Sequence, residues 1–292
     1  MGAYAYHAPT NVADALAQLG AAADAGTRTQ MLAGGTDVLV QMRSIDKGPR
    51  TFVDVKTVAE ANELDIGADE IYMGAAIVSA KLNENDELKA LLPGLIEAAD
   101  LIGSTQIQGR ATIGGNLCNS SPAGDTIPAL IACGAVCVVA SPGGNKEVPV
   151  EDFVTGVGTN ILSEREFLVG FKIPRPKGKT SDAYLRFIPR TEMDIAVCGA
   201  GVALTLDDSG TCTAAKVAIG AVAITALPVP DAAAALVGSK VDDDALAAAA
   251  AASSALAKPI TDKRGTIEYR KKVVGVLTKR AGAIARDRAA AL

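Results

Sequence analysis

The chain has 292 residues, 49% of them apolar and 21% charged, with a net charge of −5. At roughly 100–200 residues per domain, this length predicts about two domains, each able to bury a core. A single histidine, His7, and no tryptophan exclude a zinc site built from several histidines and leave few side chains that titrate near neutral pH.

The negative balance and 3% aromatic content argue against a nucleic-acid partner. No apolar run is long enough to span a bilayer. The first ten residues lack a basic stretch followed by an apolar one, which predicts no secretory signal. Gly2 follows Met1, but Tyr6 stands where myristoylation requires Ser or Thr. Cys118, Cys133, Cys137, Cys198 and Cys212 contain no C-x-x-C pair and are expected as buried, reduced thiols rather than cluster ligands. These features predict a cytoplasmic protein, with His7 near a mobile terminus.

In chain order, Thr10 or Asn11 can cap a helix whose apolar positions Val12, Leu16 and Leu19 share one face, with Gly20 ending it. Thr29 to Ala33 reads as a strand, Thr36 and Asp37 open a helix, and Thr51 to Val55 reads as a further strand, a β-α-β arrangement. Strands are predicted near 64–67 and 71–74, helices at 77–83, 93–102 and about 125–132, and strands at 135–140 and 166–173. Pro174 to Lys179 has the composition of a rigid, charged linker. Beyond it, 183–187, 195–206 and 214–221 read as three strands, with a hairpin loop at 207–210. Three helices follow near 228–237, 243–256 and 266–287.

Two glycine pairs carry the chemical information. In Met31-Leu32-Ala33-Gly34-Gly35-Thr36-Asp37-Val38, adjacent glycines lie between a strand and a helix. Glycine admits positive φ and lets a ligand approach the backbone, while amides at a helix start converge on an anion. The same segment is also compatible with an ordinary tight turn. In Thr112-Ile113-Gly114-Gly115-Asn116, a second pair precedes a long polar loop that enters a helix at Asp125. Asp125 is either the cap of that helix or an acceptor for ligand hydroxyls. Two such turns can hold a diphosphate from both sides. Neither matches the G-x-G-x-x-G turn or the P-loop.

On AGGTDVLVQMR (33–43), TIGGN (112–116), SPAGD (121–125), EFLVGFKIPRP (166–176) and RFIPRTEMDIA (186–196), in this order, the sequence resembles the FAD-binding medium subunit of the xanthine dehydrogenase and carbon monoxide dehydrogenase family of molybdenum hydroxylases. The resemblance spans essentially the whole chain. It implies an α+β architecture: a two-lobed FAD-binding fold of the vanillyl-alcohol oxidase (PCMH) type over 1–176, with lobes at about 1–57 and 58–176. A C-terminal domain over 181–288 would follow, with a three-stranded antiparallel sheet and three helices. It implies FAD contacts at Met31 to Val38, at Thr112, Ile113, Gly114, Gly115 and Asn116, and at Asp125. An apolar wall against the flavin falls at Ile102 and Gly103, a backbone contact at Leu168, and a basic residue at Arg186, where the family usually has lysine. A mobile segment beside the ring falls at about 190–195.

The function so implied is electron transfer. A molybdopterin-bearing large subunit oxidises substrate, and two [2Fe–2S] clusters of a small subunit pass electrons to FAD in this chain and on to an external acceptor, in a dimer of heterotrimers. No catalytic side chain and no metal ligand is expected here, which suits a chain with few acid–base groups. The alternatives are a stand-alone flavin oxidoreductase of the same fold and a structural subunit without redox-active flavin. The substrate and the acceptor are not encoded in these residues.

Overall fold

The computed structural model describes residues 4–44 and 48–292; residues 1–3, with Gly2, and 45–47 lie outside the described residues. The first lobe comprises β1 (Tyr4–His7), α1 (Val12–Asp24), β2 (Thr29–Leu32), α2 (Thr36–Ser44) and β3 (Arg50–Asp54). Its strands form a parallel sheet of order β1-β3-β2. Asn11 caps α1, accepting the Asp14 N–H at 2.9 Å. The helix runs past Gly20 to Asp24, because Ala15, Leu19 and Ala22 continue one buried face; the chain reverses instead at Gly26, where φ is +62°. His7 is not on a loose terminus but in β1, in register with Val53. All four residues of β1 are exposed, so the strand carries no alternating pattern to read.

The second lobe contains β4 (Leu64–Ile66), β5 (Glu70–Gly74), α3 (Ser79–Asn83), α4 (Asp86–Leu91), α5 (Pro93–Asp100), α6 (Thr105–Gln108), α7 (Ile113–Cys118) and α8 (Thr126–Ala132). It continues through β6 (Val136–Ala140), β7 (Lys146–Pro149), α9 (Val150–Phe153), β8 (Val154–Gly156), β9 (Thr159–Asn160) and β10 (Phe167–Pro174). Five strands form an antiparallel sheet of order β4-β5-β10-β6-β7, and β8 pairs with β9. Its core is built on Ile71, Met73, Leu95, Leu130 and Phe171, all essentially inaccessible.

The C-terminal domain has β11 (Lys179–Phe187), β12 (Cys198–Leu206), β13 (Cys212–Gly220), β14 (Leu227–Pro228), α10 (Pro230–Leu236), α11 (Asp243–Leu256) and α12 (Ile267–Ala290). Its antiparallel sheet has four strands, not three; the extra one, β14, is only two residues long and falls below any periodic signal. The expected strand from 195 starts at Cys198, after a loop held by the Arg190–Asp194 ion pair. The 174–179 segment is fastened down: the Arg175 N–H donates to Asp69 O at 2.9 Å and its guanidinium to Gly67 O at 3.1 Å.

The C-terminal sheet meets α8 across a glycine floor. A Cβ on Gly201 would lie 2.8 Å from Pro128 O, and one on Gly220 would lie 2.6 Å from Pro128 Cγ. Only hydrogen on the sheet lets the helix lie this close. Apolar burial on both sides of the contact then stabilises it.

Candidate cofactor site

Both glycine pairs face one cavity of about 720 Å³, between the first lobe and the β5–β10 region of the second. That volume falls in the roughly 300–1,000 Å³ range of cofactor pockets. Met31, Ala33, Gly34, Gly35, Thr36, Asp37 and Val38 line it from one side. Ile102, Thr112, Gly114, Gly115, Asn116 and Leu168 line it from the other.

The first turn leaves β2 at Leu32 and enters α2 at Thr36. Gly35 has φ +77°, a conformation that costs other residues strain. Gly34 serves a different purpose: a Cβ there would lie 2.0 Å from Arg110 O and 3.0 Å from Ala111 Cα. The first turn is therefore packed directly on the backbone that leads into the second.

The second segment is not an open loop. Thr112 is the N-cap of α7, its Oγ1 accepting the Gly115 N–H at 2.8 Å. Ile113 is 2% exposed and belongs to the second lobe's core. A Cβ on Gly114 would lie 2.4 Å from Ala75 O, which packs the turn onto the end of β5. Asn116 reaches back, its Oδ1 accepting the Thr126 hydroxyl at 2.8 Å and the Thr126 N–H at 3.3 Å. Leu168 sits beside a bulge in β10, where the Val169 carbonyl accepts the Ala75 N–H at 2.8 Å. Bulges commonly re-aim side chains next to sites.

Leu32, Gly103, Ile113, Asp125 and Arg186 are not among the residues that line the cavity. Asp125 makes no cap bond to α8. Its carboxylate instead accepts from Arg186 Nη1 at 2.8 Å and from the Tyr184 hydroxyl at 3.2 Å, both on β11. Burial pushes the Asp125 carboxyl up to about 6, against the opposing pull of Arg186 and Tyr184. Gly103 has φ +64°, and its carbonyl accepts the Met193 N–H at 3.4 Å, so the 190–195 segment meets the corner that carries Ile102.

Sequence reasoning missed Arg28, Gln30, Asn119, Asn160 and Ser163, all of which line the cavity. Gln30 and Asn119 border the two glycine segments without belonging to them, and Arg28, Asn160 and Ser163 lie outside any motif. Arg28 is the one cation among the described lining residues, against Asp37, Glu164 and Glu166. Burial raises the Asp37 carboxyl above its ordinary value. A diphosphate placed here would meet backbone amides and the positive end of the α2 dipole, with one cation among the described lining residues. Cavity volume, two close-packed glycine turns and the start of α2 at the cavity wall all fit a dinucleotide.

Residues 2–176 match the family described as the FAD binding domain in molybdopterin dehydrogenase, and residues 183–284 match the CO dehydrogenase flavoprotein C-terminal domain. The chain belongs to this family of FAD-binding medium subunits of molybdenum hydroxylases. Among individual relatives, it is 33% identical to the carbon monoxide dehydrogenase medium chain of Afipia carboxidovorans over 289 residues, 99% of this chain and 98% of the relative. It is 33% identical to the xanthine dehydrogenase FAD-binding subunit of Escherichia coli O157:H7 over 222 residues, 75% of this chain and 74% of the relative. The solved carbon monoxide dehydrogenase of Hydrogenophaga pseudoflava that lacks the Mo-pyranopterin moiety superposes with a TM-score of 0.91 at 32% identity, covering 98% of each chain.

Proposed function

We propose that this chain is the electron-transferring flavin subunit of a cytoplasmic molybdenum hydroxylase, working in a dimer of heterotrimers with a molybdopterin-bearing large subunit and a small subunit carrying two [2Fe–2S] clusters. The observation that carries this reading is the single cavity lined by both glycine turns. When bound there, FAD supplies the redox chemistry, taking electrons from the partner's clusters and passing them to an external acceptor.

The chain's own residues bind and orient. Gly34, Gly35 and Thr36 would hold one side of the diphosphate, and the Thr112–Asn116 turn the other. Ile102 and Leu168 would wall the ring system and exclude water. Arg186, held by Asp125, would add a fixed positive charge from the C-terminal domain. The candidate contacts at Leu32, Gly103 and Ile113 would act through backbone position, since none of the three lines the cavity.

The test is purification of the full chain alone and with co-expressed partners. One FAD per chain and reduction of that FAD by the assembled complex are expected. A chain that neither retains nor binds FAD would overturn the proposal.

A further inference from the structure

The helix α5 lacks a cap of its own. Leu92 stands at its N-cap position and offers no side-chain oxygen, and Pro93 follows at the first position. Helix starts without an acceptor leave first-turn amides orphaned. Here the acceptor comes from elsewhere in the chain. Asp182, on β11 of the C-terminal domain, accepts the Gly94 N–H at 3.0 Å and the Leu95 N–H at 2.9 Å. Its carboxylate also accepts from Cys133 Sγ at 3.3 Å. Asp182 is 4% exposed, so these bonds are made away from water.

The contact is close as well as polar. A Cβ on Gly94 would lie 2.6 Å from Ala183 Cα, so the β11 backbone rests directly on the first turn of α5. One turn further on, Glu97 pairs with Arg288 of α12 and accepts the Tyr184 N–H at 3.3 Å. The other end of α5 runs into Leu101, Ile102 and Gly103, and Ile102 lines the cofactor cavity. Eight residues of helix span only about 12 Å. The capped end and the wall of the cavity are thus separated by one short helix and the turn at its end.

We propose that Asp182 is a positioning residue for the cofactor: it caps α5 across the domain contact and so sets where Ile102 stands against FAD. This rests on the reading of the cavity as the FAD site. The C-terminal domain then takes part in cofactor binding without touching the cofactor through this residue. FAD binding and domain docking are linked, each strengthening the other, as coupling between two sites requires.

The test uses the full chain, stripped of flavin and titrated with FAD, with affinity and the visible circular dichroism of bound flavin as readouts. Wild type, Asp182→Asn, Asp182→Ala and Leu236→Ala are compared. Leu236 is fully buried in the C-terminal core, on α10, so its truncation destabilises without removing the acceptor. Asp182→Asn keeps one acceptor oxygen and should weaken FAD about fivefold, and Asp182→Ala about tenfold or more, with an altered flavin dichroism in both. Leu236→Ala should keep the wild-type affinity and spectrum. Should Asp182→Ala fail to fold, Asp182→Asn decides. Wild-type affinity and dichroism in Asp182→Asn, or equal weakening in Leu236→Ala, would overturn the proposal. Failure of the wild type to bind FAD would overturn the cofactor reading itself.

Discussion

Arg186 donates to the Asp125 carboxylate at 2.8 Å, with the two side chains only 4% and 11% exposed, and so joins the C-terminal domain to the start of α8. Removing one partner of such a pair leaves the other charge buried and unmatched. Asp125→Ala should therefore cost about 3–5 kcal/mol of stability at pH 8, a larger penalty than the loss of a ligand contact alone. Replacing both residues, as in Asp125→Ala with Arg186→Met, should recover much of that loss. Denaturant unfolding of the flavin-free chain measures both. An Asp125→Ala chain as stable as wild type would show that water reaches Arg186 freely.

Gly34 and Gly115 should respond differently to substitution. Gly34→Ala places a Cβ against Arg110 O and should destabilise the flavin-free chain by about 1–3 kcal/mol. At Gly115 an added Cβ meets the Thr112 hydroxyl at 3.0 Å and no other atom outside its own helix, so Gly115→Val should disturb the flavin-free melting temperature less than Gly34→Ala while abolishing FAD retention. Thermal melts with and without FAD separate the two outcomes. Full flavin absorbance in purified Gly115→Val would remove that turn from the site.

Burial raises the Asp182 carboxyl from 3.8 to about 6. The folded chain thus holds this proton more tightly than the unfolded chain. The resulting stability is complete below the unfolded value and is lost as pH rises through about 6. Between pH 7 and pH 5, wild type should gain about 1 kcal/mol over Asp182→Asn. Paired denaturant melts at the two pH values check this. A gap independent of pH would place Asp182 at its ordinary value.

Burial pushes the Cys118 and Cys198 thiols up to about 12, and raises those of Cys133, Cys137 and Cys212 as well. Thiolate is the reactive form. Native protein at pH 8 should resist iodoacetamide at all five positions and take up five labels once unfolded, as read by mass spectrometry.

Legibility in the sequence followed the range of the interactions. The α12 helix and the strands at 198–220 carry local periodicity over many residues and were readable. The glycine pairs were readable because each has a threonine beside two adjacent glycines, the first pair following a strand. Helix α7 was not, since Gly114 and Gly115 oppose helix formation and only the Thr112 cap and packing on Ala75 enforce it. Strand β1 has no buried face, and β14 is two residues long. The roles of Asp182 and Arg28 left no local trace. One acts on amides 88 and 87 positions earlier in the chain, and the other reaches the cavity only through the fold.

The glycine floor beneath α8 limits how this subunit can be recombined. Gly201 and Gly220 are shaped to Pro128, so a C-terminal domain exchanged into this chain must also carry hydrogen at both positions. A donor without those glycines would have to bring its own α8 together with β12 and β13. For such a donor the unit of exchange crosses the 174–179 junction instead of ending there.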